Sequence, residues 1–260
     1  NMAGLRVARE YPRSAVNRDT DRVDWPSSNE RYNAQTIQYL KSLKGFEEAI
    51  LICGGGTQVI NILSSLQRRN HIERAHVVDT RVEQLENFLR WCGYLRTHTR
   101  VNAPVSAITP HAGSDDADKN LRSEYHHLDG LPKFSRDLFV QLHNSEVLAF
   151  LNSDVIVGKK QRFIYLSNAL DESWSSGQYL YRFRKLITTD ERFAEGTMLM
   201  LASSTWMPET FNFSLTAFLR KTGHELKVQI VPDFDGKPME TVQLLQPSTI
   251  LVLAGATSAV

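Results

Sequence analysis

The stretch that decides the fold is Ala49-Ile50-Leu51-Ile52-Cys53-Gly54-Gly55-Gly56-Thr57. An unbroken apolar run that stops at three glycines describes a strand covered on both faces, as inside a parallel sheet. Glycine at the stop lets the backbone turn tightly and approach a ligand, because no Cβ stands in the way. Beyond it, Val59, Ile60, Ile62, Leu63 and Leu66 recur at helical spacing, and Arg68 and Arg69 suit the negative pole at the helix end. A second apolar run, Ala75-His76-Val77-Val78, ends in Asp79; residues 81–91 then read as a helix through Leu85, Phe88, Leu89 and Trp91. Strand, glycine turn, helix, strand and acid within about 30 residues make the first βαβ unit of a nucleotide-binding fold. The helix N-terminus after the glycines offers N–H groups to a polar or anionic ligand. An acid about 20 residues further on, at the tip of the next strand, is placed to bind ribose hydroxyls.

Outward from this unit the reading is coarser. Residues 1–30 are polar, with Pro12 and Pro26, and read as an arm or early cap. A helix over 28–43 follows from Tyr32, Ile37, Leu40 and Leu43, with Ser27 or Ser28 as its cap. Pro104, Pro110, Gly113 and the polar residues 114–120 mark a surface loop. Residues 134–151 can be drawn as a helix with Leu138, Phe139, Leu142, Leu148 and Leu151 as its stripe. Alternatively, residues 147–151 are a strand with Asn152-Ser153-Asp154 at its tip; periodicity leaves both drawings open. Phe163-Ile164-Tyr165-Leu166 is a short strand ending at Ser167-Asn168. Residues 179–187 read as a helix, 197–201 as a strand ending in Ser203-Ser204-Thr205-Trp206, and 215–220 as a helix with Gly223 as its C-cap. Two last strands, 226–231 and 250–253, are joined by a long turn holding Pro232, Asp235, Gly236 and Pro238. The organisation expected is an arm and cap over 1–45 and a Rossmann-like domain over 46–260, with an insertion at about 105–150 helping to form the substrate site.

Composition narrows the class. With 260 residues, 42% hydrophobic and 23% charged, the chain has enough apolar material for one large α/β domain and too much for global disorder. Thirty basic against 29 acidic residues give a net charge of +1, so no polyanion footprint exists and nucleic acid is not the expected partner. Cys53 and Cys92 are too few for a disulfide framework and form no C-x-x-C pair, as in a reducing compartment. No apolar run approaches the ~20 residues of a membrane span, and the polar N-terminus shows no signal peptide. A soluble, cytoplasmic protein acting on a small molecule is the expectation; a homodimer stays open.

The dinucleotide fingerprint needs glycine where Val59 stands, and no G-K-[ST] follows, which removes a P-loop. The run from Ile50 to Thr57, followed by Val77-Val78-Asp79, resembles motif I and the post-I acid of class I methyltransferase-fold proteins, and the 163–168 strand resembles their motif IV. The resemblance spans about 46–254. It implies a mostly parallel, seven-stranded Rossmann-like sheet with a C-terminal antiparallel hairpin and a helical N-terminal cap. It also implies S-adenosylmethionine as cofactor, with Gly54, Gly55, Gly56, Thr57, Asp79, Thr80, Ser153, Asp154 and Ser167 as the residues around it. Cys53 stands where the family places an acid before the glycines, and Thr57 or a later residue is the candidate to replace that contact.

A narrower likeness adds chemistry. Tyr165-Leu166-Ser167-Asn168 with Asp171 is similar to a segment of betaine-lipid-synthase-type 3-amino-3-carboxypropyl transferases, as is Asp79 with Gln84-Leu85. This implies attack on the Cγ carbon of the cofactor with release of methylthioadenosine, by transfer or by ring closure within the cofactor; methyl transfer and a non-catalytic binding protein are the alternatives. Asn168 would hold the incoming amine or the amino-acid tail, Tyr32 would close the site, and Asp171 would accept a proton. Each has a plainer reading, as turn former, core residue and helix cap. His126 and His127 are adjacent and point to opposite faces if extended, which argues against joint metal binding, and the basic-aromatic segment 179–185 reads as an amphipathic helix.

Overall fold

A computed structural model describes residues 5–12, 15, 34–98, 108, 134, 137–167, 169, 177–193, 197–201, 226–232, 238–244 and 251–255. In chain order the elements are β1 (Arg6–Arg9), α1 (Ala34–Ser42), β2 (Glu48–Ile52), α2 (Thr57–Leu66), β3 (Arg74–Asp79), α3 (Val82–Thr97), β4 (Phe139–Asn144), α4 (Val147–Asn152), β5 (Arg162–Ser167), α5 (Gly177–Thr189), β6 (Met198–Leu201), β7 (Leu226–Pro232), β8 (Pro238–Leu244) and β9 (Leu251–Gly255). The sheet order is β1-β4-β3-β2-β5-β6-β9-β8-β7. Strands β1, β4, β3, β2, β5 and β6 all run parallel, a Rossmann-like α/β arrangement.

Side-chain alternation along the strands builds two cores. Ala49 and Leu51 of β2 face the same way as Val77, Val140, Leu142, Phe163 and Tyr165, under Ile60 and Leu63 of α2 and Leu85, Phe88 and Trp91 of α3. Ile50 faces the other way with Val78, Ile164, Leu166 and Leu199, under Leu148, Phe150 and Leu151 of α4 and Phe183 and Ile187 of α5. This double covering is why β2 is apolar from Ala49 to Ile52. The chain winds outward from β2 through β3 to β4, then returns to the other side of β2 for β5 and β6. The reversal makes the carboxyl edge between β2 and β5 a topological switch point, where α/β sheets leave a crevice.

Three expectations need correction. The N-terminal arm contributes a strand: β1 pairs with β4, and its end is tied to α3 by Arg9, whose Nε and Nη2 donate to Glu86 at 2.6 and 2.9 Å. Residues 134–151 follow neither drawing, being strand first (β4) and helix second (α4). The helix starts at 147 because Glu146 caps it, accepting N–H groups of Leu148 and Ala149 at 2.8 and 2.9 Å. Finally, 226–231 and 250–253 do not pair. The supposed turn contains β8, antiparallel to both β7 and β9, while β9 runs parallel to β6. Among the described residues the sheet therefore has nine strands instead of the expected seven; Met239, Thr241, Val242 and Leu244 supply β-forming residues between breakers that dominate the local reading. Of the expected cap, α1 is described and packs against α2. The helix expected at 215–220 with Gly223 and the strand tip at 203–206 lie outside the described residues.

Candidate functional site at the carboxyl edge of the sheet

The glycines sit where β2 leaves the sheet. Gly54 and Gly56 have φ of 49° and 84°, in the left-handed region that favours glycine. Their surroundings differ. A Cβ on Gly56 would lie 3.1 Å from Cα of Phe88 in α3, whereas one on Gly54 would meet nothing within 4 Å. Gly56 is thus a packing glycine, and Gly54 borders open space. The turn closes through the Gly56 N–H, which donates to the Cys53 carbonyl at 2.9 Å, and α2 begins at once, with Gly56 supplying no side-chain cap.

Asp79 ends β3 beside this turn. One carboxylate oxygen accepts the Gly54 N–H at 3.1 Å and the other the Arg81 N–H at 2.9 Å. Its backbone carbonyl is held by Ser145 N–H at 3.0 Å and the Asn144 amide at 3.2 Å, so β4 fixes the strand tip. Burial raises the Asp79 carboxyl to about 6, against the downward pull of the Arg81 and Gly54 N–H groups. Thr80 is exposed next to it, and Thr57 is fully buried at the start of α2.

Across the switch point, Ser167 closes β5 with φ of 50°, the only non-glycine positive φ among the described residues, at a register shift against β6. Such a backbone costs of order 1–3 kcal/mol and collects at functional sites. The fold thus brings Gly54, Gly55, Gly56, Thr57, Asp79, Thr80 and Ser167 to one edge.

Ser153 and Asp154 do not join them. The Ser153 carbonyl accepts from Arg192 Nη1 at 2.9 Å, and the Arg192 carbonyl accepts from Arg162, the first residue of β5. That contact belongs to the amino edge, because 153–154 lie in the return from α4 to the start of β5, not at a strand tip. Asn168, Tyr32 and Asp171 lie outside the described residues, as do His126 and His127.

Cys53 is turned inward. Its buried thiol donates to the Gln84 carbonyl at 3.2 Å, and burial pushes it well up. Two residues hold the loop from α3, Gln84, noted in the sequence only for its likeness, and Asn87, not noted there: the Gln84 amide donates to the Gly54 carbonyl, and the Asn87 amide to the Gly55 carbonyl at 2.9 Å. With Phe88 they form an i, i+3, i+4 face. The signal available was two carboxamides beside the apolar positions Leu85 and Phe88 of a helix.

A second polar group crosses the sheet under α4 and α5, one residue from each of four strands. His143 Nε2 and His76 Nδ1 are 3.0 Å apart, His76 Nε2 lies 3.4 Å from Glu48, and Arg162 Nε donates to Glu48 at 2.5 Å. All four are buried. Burial alone would raise the Glu48 carboxyl; hydrogen bonds from His76 and Arg162 outweigh it and hold the group at about 2. Burial holds His143 down at about 4. Among the described residues no helix is long and apolar enough to cross a membrane. In comparison with known proteins, no family model matches the chain and no curated relative is found.

Proposed function

We propose that the chain binds S-adenosylmethionine at the carboxyl edge of β2, β3 and β5 and is a cytoplasmic transferase acting on a small metabolite. The reaction proposed is 3-amino-3-carboxypropyl transfer, or ring closure within the cofactor, with methylthioadenosine released. The observation that carries this is the joining of the glycine turn to Asp79, through the 3.1 Å Gly54 bond, at the switch point of the sheet. The residues fit such a ligand. Space is open in front of Gly54. The Asp79 carboxylate receives backbone N–H groups of Gly54, Arg81 and Thr80, and of its four lone-pair sites one is left for a ribose hydroxyl. The inward Cys53 cannot act as the family's acid there, which leaves the amino group of the methionine tail to other groups.

When bound, the cofactor would supply the electrophile, a carbon on its sulfonium. The chain's own task is to hold the nucleoside, place the incoming nucleophile, exclude water and choose the carbon. The glycine loop and Asp79 serve the first task. Asn168, next in sequence to the strained Ser167, is assigned to the second, with Tyr32 as closure and Asp171 as proton acceptor.

The test is mass spectrometry of the nucleosides formed from S-adenosylmethionine by the purified protein, with and without a cell metabolite extract. Methylthioadenosine supports the reading, and its release without extract points to ring closure or lysis of the cofactor. S-adenosylhomocysteine makes the protein a methyltransferase. Absence of binding refutes the cofactor assignment and is the outcome expected of a non-catalytic binding protein.

A further inference from the structure

We propose that Gln84 and Asn87 are positioning residues of this site: they hold two consecutive glycine carbonyls on α3, Gln84 thereby turning the Gly55 N–H away from the helix as a donor for a ligand and Asn87 anchoring the peptide that follows. The inference rests on reading this edge as a ligand site.

The geometry is that of the peptide unit. In a trans peptide the carbonyl and the following N–H point in opposite directions. The Gly54 carbonyl accepts from Gln84 and therefore faces α3, so the Gly55 N–H faces the other way. The Gly55 carbonyl accepts from Asn87 at 2.9 Å, and the Gly56 N–H beyond it is used within the turn by Cys53. Gly55 is buried, yet no described residue accepts its N–H. A buried N–H left unpaired is rare and costly, and the ordinary explanation is an acceptor that the site receives from outside. A ligand oxygen, hydroxyl or carboxylate, has the required chemistry.

The burial of both carboxamides favours this role over simple packing. Gln84 and Asn87 are at most 1% exposed, in a helix whose neighbouring buried positions are Leu85 and Phe88. Burying an amide costs free energy unless it is hydrogen-bonded, and here the bonds go to loop carbonyls that glycine leaves uncovered. The Cys53 thiol bond to the Gln84 carbonyl fastens α3 to the strand end by a further link. The loop is thus held on one side by Asp79 and on the other by α3, with Gly55 between.

The experiment uses the full chain with Asn87→Leu and Gln84→Met, near-isosteric changes that remove the amides. Asn61→Leu is the control, a buried amide on α2 that reaches Gln58 instead of the loop. NMR in the ligand-free protein follows the Gly54, Gly55 and Gly56 amides, and calorimetry follows S-adenosylmethionine. In Gln84→Met we expect a displaced Gly55 resonance, exchange of the bonded Gly54 and Gly56 amides faster by about tenfold, and cofactor affinity lower by about tenfold. The control should leave all three unchanged at a similar loss of thermal stability, which a merely structural role would not separate. Should Gln84→Met fail to fold, Asn87→Leu frees the next peptide and is read by faster exchange of the Gly56 amide and lower cofactor affinity. Unchanged loop amides in Asn87→Leu and Gln84→Met overturn the inference. If the wild-type chain does not bind the cofactor, the function proposed above fails, and the loop amides still decide this one.

Discussion

Placing a methyl group on Gly56 or on Gly54 separates the structural glycine from the one that borders the site. Both have positive φ, 84° and 49°, so alanine at either meets the left-handed penalty of about 1–2 kcal/mol. Only Gly56 also meets a wall. Its Cβ would lie 3.1 Å from Cα and 3.3 Å from Cβ of Phe88, a backbone neighbour inside α3 that cannot retreat without moving the helix. Overpacking of this kind costs about 1–3 kcal/mol, so Gly56→Ala should be less stable than Gly54→Ala by that amount. At roughly 2–4 °C per kcal/mol for a chain of this size, the gap in Tm is about 2–12 °C. Thermal melts followed by circular dichroism on both variants measure it without any ligand. Gly54→Ala, whose methyl enters open space, should keep most of its stability and lose affinity for S-adenosylmethionine in calorimetry. Equal melting of the two variants would refute the assignment of Gly56 to packing, and undiminished affinity in Gly54→Ala would refute the placement of the ligand.

Other consequences are as direct. Glu48→Gln leaves Arg162 buried beside a neutral partner and should cost about 3–5 kcal/mol in urea denaturation, since breaking a buried pair strands the other charge; a loss below 1 kcal/mol would remove the ion pair from the core's stability. Stability should fall on acidification. His143, held at about 4 against 6.5, contributes stability present above 6.5 and lost as pH drops toward 4, and Glu48, held at about 2 against 4.5, contributes stability present above 4.5 and lost toward 2. Asp79 has the opposite sign, its raised carboxyl favouring the fold below 3.8 and losing that contribution as pH rises through about 6. Melts across pH on His143→Phe should lack the 6.5-to-4 segment, and an unchanged profile would show that His143 does not titrate as placed. Asp79→Ala should weaken S-adenosylmethionine binding while the domain stays folded, and wild-type affinity should fall below pH about 6 as the carboxylate takes a proton; pH-independent binding would take Asp79 out of the ribose role.

The βαβ unit was legible because each of its signals is local. The run from Ala49 to Cys53, the glycines, the helical spacing of α2 and the position of Asp79 all follow from backbone sterics and from burial on both faces. The N-terminal strand was not legible: Arg6–Arg9 is short and polar, and it is a strand only because β4 offers an open edge. Residues 134–151 misled for a related reason. The apolar positions of β4 and α4, joined end to end, mimic one helical stripe, and the boundary lies in the cap made by Glu146. The strand at 238–244 was hidden by the turn formers on either side of it.

The sequence by itself determined an α/β chain with a glycine turn and an acid at successive strand tips, since period, composition and turn chemistry are properties of neighbouring residues. Only the tertiary structure decided which distant groups meet. Winding order placed Ser167 beside the glycines and sent Ser153 and Asp154 to the far edge. Helix packing brought Gln84, Asn87 and Phe88 of α3 onto the loop. Strand register aligned His143, His76, Glu48 and Arg162 across four strands. Those partners lie tens of residues apart in the chain, and contacts over such separations are set by how layers pack, which no local pattern encodes.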